Sequence, residues 1–177
     1  MNDISSYILD IVQNSIKAGS NIVEVKVVDD LEEAKLTIII KDDGCGMDES
    51  TMEKLYDPYF TTRSTRKIGL GIPMLLELCD MCNGSLEISS QINKGTTVEI
   101  ELDLNNYDLP EFGKVDDLVI SIISNDKDVD LIFEYIKGEK IFYISTIEIK
   151  KILGKVSIVQ PDILLWLRNY IKDKFVL

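Results

Sequence analysis

The chain has 177 residues, 45% of them hydrophobic and 28% charged, with a net charge of −12 at pH 7 and no histidine. This balance suits one packed core, or one domain with a small appendage. It excludes His-based acid–base catalysis, imidazole metal ligation and any phosphohistidine on these residues, and it argues against a nucleic-acid partner. No apolar run reaches the ~18 residues of a membrane helix and the N-terminus carries no signal pattern, so with three cysteines a reduced, cytoplasmic chain without a membrane is expected.

Residues 4–18 place Ile4, Ile8, Ile11, Val12, Ser15 and Ile16 at helical spacing, and Gly19 follows as a stop. Residues 22–28 alternate Val23, Val25 and Val27 with Glu24 and Lys26, the pattern of a half-buried strand. A polar turn over 29–33 leads to a second strand at 36–40. Residues 48–55 suggest a short helix, broken at Asp57-Pro58. The next helix runs over 72–82, with Pro73 in its first turn, where a missing N–H costs nothing. After the Asn83-Gly84 turn come strands at 86–90 and 96–104, with Val98, Ile100 and Leu102 facing one way. Helix, hairpin, loop, helix and hairpin predict an α+β fold: a two-layer α/β sandwich with helices on one sheet face.

Residues 105–117 are polar, contain Pro110 and Gly113, and suggest a linker. It separates a first domain, 1–104, from a small C-terminal α/β or helical module, 118–177. The acidity divides the same way: nine basic and nineteen acidic side chains in 1–104, ten and twelve in 105–177. The apolar run 118–124 suggests a strand, 126–137 an amphipathic helix and 140–144 a strand. Ser145 and Glu148 fit a capping box opening a helix that stops at Gly154. Residues 161–175 form a last helix with a thick apolar face. Docking of a partner is the role expected of this module.

Five short motifs carry chemistry in the first domain. Asn14 lies on the first helix, and Asp42-Asp43-Gly44-Cys45-Gly46 follows a strand directly. A Phe-Thr-Thr-Arg segment ending at Arg63 precedes Arg66 and Lys67, Gly69-Leu70-Gly71 opens a helix, and Lys94-Gly95-Thr96-Thr97-Val98 enters the last strand. Taken singly, each has a plain explanation: a surface amide, a tight turn, solvated loop cations, a glycine loop, strand propensity. The Cys79 and Cys82 pair shares one helix face and, with Cys45, falls short of a closed zinc set, so structural thiols are expected.

In this order and spacing, residues 4–104 resemble the GHKL superfamily, the ATP-binding fold of gyrase, heat-shock chaperones, sensor histidine kinases and mismatch-repair ATPases. The resemblance implies ATP and Mg²⁺ as ligands. It implies Asn14 as the Mg²⁺ ligand, an amide oxygen for a hard cation. Asp42 would accept the adenine amino group, and Gly44 and Gly46 would let backbone pass beneath the purine. Gly69, Leu70 and Gly71 would bring backbone N–H groups and a helix N-terminus to the phosphates, and Thr96 and Thr97 would complete the binding set. The family's second glycine box is commonly Gly-Thr-Gly-Leu-Gly-Leu; here Lys67 and Ile68 stand where its first glycine and threonine would be. Lys67, with Arg63 and Arg66, supplies positive charge there, or these three are only solvated. Where relatives hydrolyse ATP, a glutamate four residues before the asparagine activates water. Asp10 holds that place, one methylene shorter, as a general base or as a residue holding water or a cation.

Residues 58–98 look most like the anti-sigma factor serine kinases, which share the Pro-x-Phe-Thr-Thr segment and the Asn93 to Val98 sequence. That likeness implies a switch that binds a regulatory protein and phosphorylates a serine on it; a homodimer fits the same pattern. Histidine autophosphorylation is not expected. The alternative is an ATP-sensing binding module with little or no hydrolysis, whose nucleotide biases a partner interface.

Overall fold

The computed structural model describes residues 3–55, 71–125 and 128–175. The Asp57-Pro58 break, the 60–63 segment with Arg63, and Arg66, Lys67, Gly69 and Leu70 lie outside the described residues.

Helix α1 (Ile4–Lys17) opens on Asp3, whose carboxylate accepts from the Ser6 amide at 2.8 Å and both neighbouring serine hydroxyls. The Ser6 hydroxyl, ahead of the opposing cost of burial, holds this carboxyl below its usual range. Ile4, Ile8, Ile11 and Val12 repeat at one-turn spacing and are buried. Each such side chain stabilises the fold by roughly 1.5–3 kcal/mol relative to exposure. Strands β1 (Ile22–Asp30) and β2 (Lys35–Asp42) form the expected antiparallel hairpin. Helices α2 (Glu49–Leu55) and α3 (Gly71–Met81) follow, then the hairpin of β3 (Ser85–Gln91) and β4 (Gly95–Asp103). Since β2 also pairs with β4, the period-2 rows align across strands: Ile88, Val98, Ile40 and Val25 lie side by side and are all buried.

Beyond residue 104 the structure departs from expectation. Residues 118–124 lie in helix α4 (Val115–Asn125), and the predicted helix is strand β5 (Asp130–Lys137). α4 packs on α1, β5 and α6 (Pro161–Lys174). It is therefore buried almost all round, and Val119, Ile120, Ile122 and Ile123 give it the look of a core strand. β5 buries Leu131, Phe133 and Tyr135 on the helix side and carries Ile132 and Ile136 on the other, which hides its alternation.

β5 runs parallel to β1, and β6 (Lys140–Ser145) pairs antiparallel with β5. The described residues thus form one six-stranded sheet in the order β3-β4-β2-β1-β5-β6, and the residues after 117 extend it rather than standing apart. The 105–117 stretch also packs: the carbonyls of Glu111 and Phe112 accept from the Ile4 and Ser5 amides at 3.0 and 2.8 Å, satisfying first-turn donors of α1. The capping box is replaced by a different device. Ser145 makes no side-chain cap to α5 (Thr146–Leu153); Thr146 Oγ1 instead accepts from the Leu131 amide and donates to Asp130, both at 2.8 Å. Among the described residues no helix is long and apolar enough to cross a membrane.

Candidate functional site

At one end of the sheet the buried apolar rows give way to a polar one. Two residues beyond the Ile88–Val98–Ile40–Val25 row, the same register aligns Ser90, Thr96, Asp42 and Val23 on the helix-facing side. Over this row lies a cavity of about 300 Å³ between α1, the 42–47 loop, α2, the start of α3 and strands β3 and β4. Ile11, Met47, Leu55, Ile72, Ile88 and Val98 make its walls largely apolar, and Asn14, Ser15, Asp42 and Thr96 supply polar groups. Apolar walls with few fixed polar groups are the usual form of a small-molecule site.

Asp42 is 8% exposed and carries the polar end. Its Oδ2 accepts from the Ser15 hydroxyl at 2.6 Å, and its Oδ1 from the Gly44 amide at 2.9 Å and the Thr96 amide at 3.3 Å. All three donors are neutral. A carboxylate offers about four acceptor positions, so these bonds fix its direction and leave capacity for one further donor on the cavity side. Asp43 turns away and serves the fold: it accepts from the Asn21 and Ile22 amides at 2.7 and 2.9 Å. Desolvation raises its carboxyl, but those two amides, with the Asn21 side chain and its own amide, together hold the group below its usual range.

Two glycines, one on the 42–47 loop and one opening β4, let these segments approach. Gly46 has φ +63°, and a Cβ there would overlap the Gln91 carbonyl; Gly95 has φ +95°, and a Cβ there would overlap the Asp42 carbonyl. Loop and β3–β4 turn therefore meet backbone to backbone. The seam is sewn by the Asn93 amide donating to the Cys45 carbonyl at 2.8 Å, and by Ser90 Oγ, which accepts from the Met47 amide at 2.9 Å and bonds the Gly95 carbonyl. The Cys45 amide donates to the Ala18 carbonyl, joining the loop to the end of α1.

Asp10 and Gly71 meet where α1 faces the first turn of α3. A Cβ on Gly71 would overlap Asp10 Oδ2, and the Asn14 amide lies just beyond. Asp10 Oδ2 is buried and has no hydrogen-bond partner among the described residues. The missing Cβ brings α3 close to the short aspartate arm.

The structure thus gathers Asn14, Asp42, Gly46 and Thr96 around the cavity, with Gly44 behind Asp42 and Asp10 and Gly71 at its α1–α3 wall. Thr97 is not brought there, because strand alternation turns it to the opposite face. Ser15, Ser90 and Gly95 belong to the site and were not singled out by sequence. Ser15 follows Asn14 directly and Gly95 lies within a recognised motif, but Ser90 is placed only by register. Cys79 and Cys82 are core thiols at 2% and 0% exposure. Burial pushes Cys79 up to about 11. A more open hollow of about 430 Å³ at the far end of the sheet is lined by Glu33, Asn83, Glu101 and Asp103 and holds none of the motif residues.

A family model described as histidine kinase-, DNA gyrase B- and HSP90-like ATPase matches residues 2–106. Sensor histidine kinase YvrG of Bacillus subtilis is 32% identical over 91 residues, covering 49% of this chain and 16% of that protein. The chain thus spans about a sixth of the length of the curated sensor proteins it matches. The N-terminal domain of a DNA repair protein superposes with a TM-score of 0.57 at 21% identity, over 82% of this chain and 53% of that one. The Aquifex aeolicus MutL ATPase domain complexed with ADP gives 0.51 at 15% identity, over 82% and 63%. At these identities the likeness is one of fold, and its reach exceeds residues 2–106.

Proposed function

Because the chain belongs to the histidine kinase-, DNA gyrase B- and HSP90-like ATPase family, we propose that its cavity binds Mg-ATP and that it works as a cytoplasmic switch, phosphorylating a serine of a regulatory protein. The observation that carries the nucleotide reading is Asp42: a buried carboxylate held by Ser15, Gly44 and Thr96, with acceptor capacity left toward the cavity. An acceptor-only group suits the 6-amino group of adenine and leaves a 6-oxo purine facing a lone pair without a donor. The apolar walls take the ring faces, and Gly46 on the loop lines the same cavity.

The donor set at the α1–α3 wall fits a hard cation with phosphates. Asn14 offers an amide oxygen, and Asp10 Oδ2, without a partner among the described residues, offers an acceptor for a hydroxyl or water. Asn14 would hold Mg²⁺, which supplies neutralisation of phosphate charge when bound. Gly71, with Gly69, Leu70, Lys67 and Arg63 before it, would receive the phosphate oxygens. For transfer, a serine oxygen attacks the γ-phosphorus, the bond to ADP breaks, and the serine proton passes to Asp10. Phosphoryl transfer rests on positioning and charge stabilisation, so a single base suffices.

Titration calorimetry tests the binding: ATP with Mg²⁺ should bind and GTP should bind at least tenfold more weakly, the size expected of one mispaired buried polar group. An Asp42→Ala variant that binds ATP as the parent does would overturn the adenine assignment. For the reaction, γ-labelled ATP should yield labelled phosphoserine or free phosphate in the parent and much less in Asp10→Asn. No turnover in the parent and no label on any co-purifying protein would leave ATP binding standing and sink the kinase.

A further inference from the structure

We propose that the outer face of α6 is a self-association surface, which takes the same face of a second copy in antiparallel orientation. Leu167 and Ile171 bury the inner side of α6, and Arg168 and Lys172 pair with Asp117 and Asp116 of α4 at 3.0 and 3.5 Å. Those contacts fix the rotation of the helix. They leave a row spaced by four residues, Asp162, Trp166, Tyr170 and Lys174, pointing away from the fold, all four exposed. Trp166 is 57% exposed and Tyr170 38%, and their rings stack at 5.4 Å and 19°. Two large aromatics held in register on a surface are the residue types that dominate protein interfaces.

The charges at the two ends decide the occupant. Among the described residues neither Asp162 nor Lys174 forms an ion pair. The row reads acid, aromatic, aromatic, base, so its own complement is the same row reversed. Antiparallel, Trp166 meets Tyr170 of the second copy, and Asp162 meets Lys174 of the second copy at both ends. Parallel pairing would oppose like charges at each end and is disfavoured. A single ridge covers less than the ~800 Å² per partner of a stable complex, so the association is weak and concentration-dependent.

Sedimentation equilibrium on the 177-residue chain, from ~10 μM to ~1 mM, reads the mass, and emission from Trp166, the chain's single tryptophan, reads the site. The dimer should form across this range with a blue shift of emission that tracks the mass. Asp162→Lys alone and Lys174→Asp alone each create like-charge pairs at both ends and should weaken association about tenfold. The two together exchange the charges and should restore it to within about threefold of the parent. Circular dichroism of each variant reports the fold, and Trp166→Ala, which leaves the charges alone, should also weaken the dimer. A parent that stays monomeric at ~1 mM overturns the proposal. So does a dimer whose formation leaves Trp166 emission unchanged, or a double variant no tighter than the single ones.

Discussion

Asp42 and Asp29 are both buried carboxylates on the helix-facing side of one sheet, at opposite ends, and they are compensated by different chemistry. Asp42 is held by a hydroxyl and two amides and faces the cavity. Asp29, 6% exposed, is met by the Lys137 ammonium at 2.9 Å and by the Tyr135 hydroxyl at 3.4 Å. Phe112 and Phe175 pack edge-on against the Tyr135 ring with centroids 5.0 and 5.1 Å away. Neutral donors orient a carboxylate without cancelling its charge, so Asp42 stays available to a ligand; the cation at Asp29 Oδ2 offsets the charge and ties that end into the fold, while Asp29 Oδ1 has no hydrogen-bond partner among the described residues. Burial of an acid is thus no guide to function by itself. What compensates it is.

The sharpest break of this contrast is Lys137→Met, which strands the Asp29 charge beneath aromatic rings. It should lower stability by about 3 kcal/mol, toward the lower end for a broken buried pair because Lys137 is partly exposed. Urea midpoints measure it. Adding Asp29→Asn should recover most of the loss, and ATP affinity should not change in either variant.

At the cavity end, Gly46→Ala combines a left-handed backbone with overlap on the Gln91 carbonyl and should cost about 2 kcal/mol while weakening ATP binding more than Lys137→Met does. Ser15→Ala removes one donor from Asp42 Oδ2 and should cost about 1.5 kcal/mol, with ATP affinity falling about tenfold in calorimetry.

The smallest effect is one of pH. Burial, and then the Asp29 charge, raise the Tyr135 hydroxyl above its usual value of 10.0. A group whose folded value is raised contributes its full stability below the unfolded value and loses it as pH rises toward the folded one. Parent stability should therefore decline above pH 10 more steeply than that of Tyr135→Phe, in thermal melts between pH 8 and 11. Equal slopes would mean that Tyr135 does not report on the closed end.

Much of the cavity end was readable from sequence because local and tertiary demands agree there. The valines of β1 alternate with charges, the helix α1 repeats isoleucine every turn, and Gly46 and Gly95 stand where positive φ and close backbone approach need them. The closed end is hard to read from sequence for the opposite reason. α4 has no solvent face to break its apolar run, and β5 is apolar on both faces, so neither shows the period that names it. Asp29 and Lys137 are 108 residues apart in sequence and become neighbours only through the parallel pairing of β1 with β5.

Residue order alone determined the helix and hairpins of residues 4–103, the glycine boxes and the placing of Asp42 at a strand end, since each depends on periods and turns a few residues long. Tertiary structure decided that residues after 117 complete the same sheet, that Ser15, Thr96 and Ser90 surround Asp42, and that Gly71 makes room for Asp10. These are contacts between distant segments, set by register and packing across the sheet, and no local pattern encodes them.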